Sequence, residues 1–443
     1  MVAIAPFRAL RFRNGLDLAA LTTPPHDCIP EPLLRHFRAG DPRNVVHVVL
    51  PEDASSDGPE AKFQRAAALL AKLMADGDLA RDARPAFYLY HATHGPAESR
   101  ATMRALFCRL RLDPAHKEVK PHEKTLRRAK QDRLHLRVAT RCDVEPIWLL
   151  YRDPRGWVEE LLESNSFDEL ARFTDEEGTE HRLWRVDRPE AVGEIVAQFE
   201  DRTLVIADGH HRYQTALDHH AQTGRPEHGS ILVGLVRDND PGLRIEATHR
   251  LVHSTGMTLA QALAKATHHT VRRIHSDDLL ADAHDLAAMP GAEGRQAVVV
   301  GKGADGRLEA HLLTLKPGSE LATGRGRLDT LAVTRVHERL LRDGWGFDLE
   351  KPEAHLRFSR DPHAALQEVA HGGCEFALLL SPEPVAAVLD VASEGQLMPQ
   401  KATYFVPKLR SGVVLSPLDE PLPVGWTEVA GDGGRPDTRL PKI

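Results

Sequence analysis

Thr203-Leu204-Val205-Ile206-Ala207-Asp208-Gly209-His210-His211-Arg212-Tyr213 is the most informative stretch of this chain. Its first five residues form a branched, apolar run that reads as a buried strand. Asp-Gly then marks a turn, and Tyr213 to Gln222 has the pattern of a helix. Gly209 permits a positive φ or a close approach of backbone. The N–H groups that follow lie at a helix N-terminus, where unpaired donors and the helix dipole favour an anion. His210, His211 and Arg212 add side-chain donors, and Arg suits a two-point grip on phosphate. Asp208, at the strand's end, can hold Mg²⁺ or accept a hydrogen bond from a substrate. A plainer reading makes Asp208 a helix cap and leaves the histidines satisfied locally. So many polar groups in one turn favour function. A transition-metal centre is disfavoured, because neighbouring side chains at a helix start diverge and no HExxH or CxxC accompanies them.

Around this turn, short apolar runs alternate with helical periodicity. Val45 to Leu50 reads as a strand, and Phe63 to Met74 as a helix closed by Gly77. Phe87 to Tyr90 reads as a strand, and residues 98 to 111 as a helix. Pro114 to Pro121 is polar and is expected to be an exposed connection. Lys124 to Val138 reads as a charged helix, Ile147 to Tyr151 and Ser230 to Val236 as buried strands, and Pro189 to Phe199 as a helix. Further on, helices are expected at Leu259 to Ala266, Leu331 to Leu341 and Ala364 to Val369. Strands are expected at Ala297 to Val300, Leu308 to Leu315 and Phe376 to Leu380. The class is α/β, with α+β the alternative. The expected division is an N-terminal α/β region over 1–113, a phosphate-binding core over 114–255, a C-terminal α/β region over 256–424 and a flexible tail over 425–443.

The bulk properties narrow the partners. At 443 residues the chain can bury two or three cores. A net charge of −7 supplies no large basic field and argues against nucleic acid as a partner, although a local phosphate site needs only a few cations. The N-terminus lacks a long apolar h-region and no segment is apolar enough to span a bilayer, so a cytoplasmic protein with no membrane partner is expected. Cys28, Cys108, Cys142 and Cys374 are scattered without a CxxC pair, and Cys142 reads as a small buried hydrophobe. No Walker A pattern is present.

Several stretches carry a resemblance. They are Ile4 to Arg11, Pro24-Pro25-His26-Asp27, Pro121-His122-Glu123-Lys124-Thr125, Lys130 to Leu134, Ala207 to Tyr213, Asp240 to Leu243, Thr248 to Val252 and Tyr404 to Gly412. Taken in order they resemble the domain-of-unknown-function family ten-fifteen over nearly the entire length. His26 stands where that family usually has Tyr, and Tyr213 is followed by Gln rather than Glu. The Asp-Gly-His-His-Arg turn is also similar to the signature of the ParB/sulfiredoxin-like fold, whose members include partition proteins, sulfiredoxin and free L-serine kinases. The resemblance implies a phosphate-binding turn, and its nearest enzymatic analogy is a small-molecule kinase. Such an enzyme would move phosphate from ATP, ADP or pyrophosphate, with Mg²⁺, to a small-molecule acceptor such as free L-serine.

Phosphoryl transfer to a hydroxyl needs a phosphate cradle, charge neutralisation and a base. The turn supplies the cradle, with Asp208 both catalytic and metal-binding. Glu123 is the candidate base, or else merely an acid complementing a helix dipole. Lys130 and Arg133 reach the donor's phosphates, or else join Lys124 and Asp132 on a solvated face. Arg250 is a candidate clamp for carboxylate or phosphate, Lys408 lies on a lid that folds back over the site, and His26 and Asp27 line the same cleft. A nucleotide-dependent switch that needs no base and a phosphatase that uses water as acceptor are the competing readings. Sulfiredoxin chemistry is demoted, because the turn contains no cysteine.

Overall fold

The computed structural model describes residues 1–53, 58, 60–123, 128–163, 167–291, 294–423 and 426. Lys124 and the tail expected over 425–443, apart from Trp426, lie outside the described residues.

The fold is mixed α/β. A nine-stranded sheet runs in the order Val119–Lys120, Leu204–Asp208, Ile147–Tyr151, Ser230–Arg237, Ala101–Arg111, Phe87–His94, Glu180–Val186 and Asp168–Thr174, with Ile4–Ala5 added against Ala101–Arg111. Leu204–Asp208 runs parallel to Val119–Lys120, and Ile147–Tyr151 runs parallel to Ser230–Arg237, while the other pairings in this sheet are antiparallel. Strands from both sides of residue 113 are therefore hydrogen-bonded neighbours. Alternation sends Ile147, Leu149, Leu204, Ile206, Val233 and Leu235 to one face, under the helices Pro189–Phe199 and His210–Thr223. Trp148, Leu150, Val205, Ala207, Leu232 and Val236 point to the other.

That second face shares its core with a six-stranded sheet in the order His269–Ile274, Leu308–Leu315, Gln296–Lys302, Phe376–Leu379, His249–Val252 and Leu356–Ser359. The chain then returns. Tyr404–Val406 pairs with Arg244–Glu246, and Phe405, Leu409 and Val413 plug the shared core. Ser411 bonds to Thr23, Leu415 to Leu10, and Ser416–Pro417 pairs with Cys142–Asp143.

Four local expectations are corrected. Val46–Val49 is a helical turn rather than a strand, because Asn44 accepts the Val46 N–H at 2.7 Å and starts it. A buried apolar run of that length suits either state, so the local cap decides. Ala101–Arg111 is a strand rather than a helix, since it lies between two partners of the large sheet and is buried on both faces. The 114–121 connection is not simply exposed, because Val119–Lys120 adds a strand to the sheet edge and Val119 is buried. The segment Leu331 to Leu341 is also split, into a helix Ala332–Arg335 and a wider π-type turn Val336–Arg342.

Candidate functional site

Strand Leu204–Asp208 ends in the turn that starts helix His210–Thr223, and Gly209 makes the corner with φ 90°. A Cβ there would sit 2.7 Å from Ile147 Cγ2, so glycine is required both by conformation and by space. The turn carries Asp208 outward to meet two cations. Lys408 Nζ lies 3.2 Å from Asp208 Oδ1, and Arg212 Nη2 lies 2.9 Å from Oδ2. Burial alone would raise the Asp208 pKa, but Lys408 and Arg212 outweigh it and hold the carboxyl well below its usual range. Lys408 itself is supported by the faces of Tyr404, 4.1 Å away, and Trp148, 6.0 Å away. The segment Tyr404 to Lys408 folds back far enough to set Lys408 against Asp208.

Arg212 faces inward. It donates to the Pro146 carbonyl at 2.5 Å as well as to Asp208, and it sits within the field of Glu145. Glu145 is buried and accepts from the His26 N–H at 2.8 Å and the His26 ring Nδ1 at 2.9 Å, with Arg133 at 3.6 Å. Its pKa is depressed: burial opposes ionisation, and His26, Arg212 and Arg133 overcome that cost. Arg133 also donates to the Val49 carbonyl. Arg212, Arg133 and His26 thus brace the turn from beneath. Asp132 is exposed and pairs with Lys62, and the Lys130 side chain lies outside the described residues.

Glu123 comes from the edge beside the turn. Met398 donates its N–H to the His122 carbonyl at 2.8 Å, and the Lys401 N–H donates to Glu123 Oε1 at 3.0 Å. Burial, with the negative Asp208 adding to it, raises the Glu123 pKa; the Lys401 amide, Lys401 and Arg250 pull it down by less. Lys401 is a non-glycine residue at φ 53°, a strained conformation that aims its amide at Glu123. Arg250 donates to the Lys401 carbonyl at 3.4 Å, to the Thr248 carbonyl, and to His337 at 3.3 Å. It is fully buried, so it steadies the segment that holds Glu123 rather than presenting itself to solvent.

His122 is buried, His210 is half-buried, and both are neutral, because desolvation drives the His122 pKa to about 4 and that of His210 well down. His122 Nδ1–H donates to the Ile206 carbonyl at 2.5 Å, which leaves Nε2 to accept from Thr403 at 2.9 Å. The His122 backbone N–H approaches His210 Nε2 at 3.4 Å, so His210 carries its ring proton on Nδ1. His210 therefore offers a neutral donor rather than a positive charge. His211 follows it in the first turn of the helix.

The structure brings together Glu123, Asp208, Gly209, His210, Arg212, Arg133, Arg250, Lys408, His26 and Asp27. Sequence reasoning missed His122, Glu145, Lys401 and Cys28, whose thiol contacts Asp27 and Tyr404 and whose pKa burial pushes up to about 12. Only Glu145, a carboxylate before Pro146 at the mouth of an apolar strand, carried a local signal. Among the described residues no group of three or more His, Cys, Asp or Glu side chains is gathered around a metal position. Asp208 suits Mg²⁺ as a hard oxygen ligand, but each of its oxygens already accepts from a cation. It fits Mg²⁺ only within a shell completed by phosphate oxygens.

A family model described as protein of unknown function (DUF1015) matches residues 4–330. No curated protein matches the chain. Among solved structures, a free serine kinase in complex with AMP is similar at 10% identity and TM-score 0.33, covering 68% of this chain and 87% of that one. A conserved hypothetical protein from Pyrococcus furiosus is similar at 11% identity and TM-score 0.33, covering 68% and 90%. SbnI with a C-terminal truncation, from Staphylococcus aureus, is similar at 9% identity and TM-score 0.33, covering 68% and 85%. No helix among the described residues is long and apolar enough to cross a membrane.

Proposed function

This chain belongs to the DUF1015 family of proteins of unknown function, and from that premise we propose that it is a phosphotransferase moving phosphate from a nucleotide or pyrophosphate to a hydroxy amino acid such as free L-serine. One observation carries the reading. A carboxylate with raised proton affinity, Glu123, lies within the field of Asp208, which itself pairs with Lys408 at a glycine-cornered helix N-terminus.

Each group then has a role. The N–H groups after Gly209 and the His210 ring receive the donor's terminal phosphate, and Lys408 neutralises charge on it. Mg²⁺ carried in with the donor would share Asp208 and supply further neutralisation. Glu123 accepts the proton of the acceptor hydroxyl. That oxygen forms a bond to the terminal phosphorus while the bridging P–O bond breaks, and its electron pair leaves with the shortened donor. Arg250 and Lys401 hold Glu123 in position, and Arg212, Glu145 and Arg133 hold the turn.

The test is transfer from ATP, ADP or pyrophosphate to L-serine with Mg²⁺, followed by phosphorus NMR. Phosphoserine is expected, and Glu123→Gln should bind donor but transfer at least a thousandfold more slowly. Phosphate release without any acceptor product would replace the proposal with a hydrolase, and donor binding without turnover would replace it with a nucleotide-dependent switch.

A further inference from the structure

The rim of the site carries charges that phosphoryl transfer does not use. Arg360 follows strand Leu356–Ser359, and its guanidinium carbon lies 3.9 Å from the centre of the Tyr404 ring that also supports Lys408. Two cations on one ring cannot be further apart than the sum of their distances to it. The Arg360 side chain is 46% exposed, and its nearest carboxylate partner among the described residues, Glu246, is at the limit of ion pairing at 3.9 Å. Lys408 is only 10% exposed, so the positive charge runs from solvent inward toward Asp208.

An acidic hairpin tip is tied to the same return segment. Arg410, two residues beyond Lys408, holds Asp175 at 3.1 Å and Glu176 at 3.0 Å. The next residue, Glu177, has no hydrogen-bond partner for its carboxylate among the described residues. Burial and its two acidic neighbours raise its pKa, while Arg360 and Arg410 pull the other way. A polyphosphate reaching this rim would meet Glu177 and Glu246 and be repelled. A small zwitterion would find both of its charges matched.

We propose that Arg360 and Glu177 select the acceptor, Arg360 taking the α-carboxylate and Glu177 the α-ammonium of a free hydroxy amino acid, with its hydroxyl directed past Tyr404 toward Glu123. The direction of the hydroxyl rests on the phosphotransferase reading; recognition of the zwitterion does not. Two residues from different sheets thus become determinants of specificity.

Calorimetry with the whole protein separates the two claims. L-Serine should bind, Arg360→Gln should weaken it about ten- to hundredfold, as expected for a lost charge-assisted pair, and Arg360→Lys should recover part of that loss. L-Serinamide, which lacks the carboxylate, should bind the parent weakly and be indifferent to Arg360→Gln. N-Acetyl-L-serine should show the matching indifference to Glu177→Gln. In kinetics, Arg360→Gln should raise KM for serine while leaving kcat and the donor KM within about twofold. A rise in donor KM instead would move Arg360 to the phosphates and overturn the proposal, as would equal loss of serine and serinamide, or no binding of serine by the parent. Arg360-dependent serine binding without any transfer would refute the phosphotransferase reading and leave this one standing.

Discussion

Single residues set the sign of every electrostatic effect at this site. Glu123 has a raised pKa, so it is protonated over a wider acidic range than an ordinary carboxylate near 4.3. In the proposed role of base it must be ionised, so kcat/KM should rise with pH along an acid limb lying above that value. A limb at or below the ordinary value would remove Glu123 from the base role. Asp208 has the opposite sign. Its depressed pKa contributes stability that is present above the unfolded value and lost as pH falls through the folded one. Lys408→Met removes one of its two cations, so the variant should unfold at a higher pH than the parent in an acid titration followed by circular dichroism. Gly209→Ala must meet Ile147 from a positive φ, and should cost about 1–3 kcal/mol in urea unfolding. Lys401→Gly is the control. It relieves the backbone while adding unfolded-state freedom, so stability should stay within about 1 kcal/mol.

Elements explain what the sequence disclosed and what it withheld. The strand–turn–helix at 204–223 was legible because an apolar run, an Asp-Gly corner and a helical pattern agree locally. Ile147–Tyr151 and Ser230–Arg237 were legible for the same reason. Val46–Val49 and Ala101–Arg111 were not, because buried runs lose the period that separates helix from strand, and neighbours decide. Of the site, the turn and Glu123 could be read. The inward posture of Arg212 and the burial of Arg250 could not, since both depend on partners far along the chain. The hairpin Asp168–Thr174 and Glu180–Val186 shows that dependence in energetic form. Its tip is tied down by Arg410, which is 2% exposed and also donates to Thr22. Arg410→Ala takes the buried cation from Asp175 and Glu176, while His181 and the Glu177 and Thr179 amides still hold Asp175, and should cost about 1–3 kcal/mol while speeding amide exchange at Thr179. Unchanged exchange there would show that the tip is held by something else.

At the scale of the whole molecule, the return of residues 398–417 makes one body of two sheets. Met398, Phe405, Leu409, Val413 and Val414 are all buried in the core those sheets share. A chain ended at residue 395 should therefore lose cooperative unfolding as well as donor binding; a sharp thermal transition in that truncated chain would show that the sheets stand without the return. The pairing of Asp208 with Lys408 spans 200 positions. A ribosome makes Asp208 and Arg212 long before it makes Lys408. Until the last tenth of the chain emerges, the turn has its acid and only one of its two cations, and the Glu123 carboxylate has no Lys401 amide. Such distant pairings also form late in folding, because the closure of so long a loop must come first. The site therefore carries a proof of completion: a prematurely ended product has the signature turn but neither Lys408 nor the Lys401 amide that complete the proposed centre.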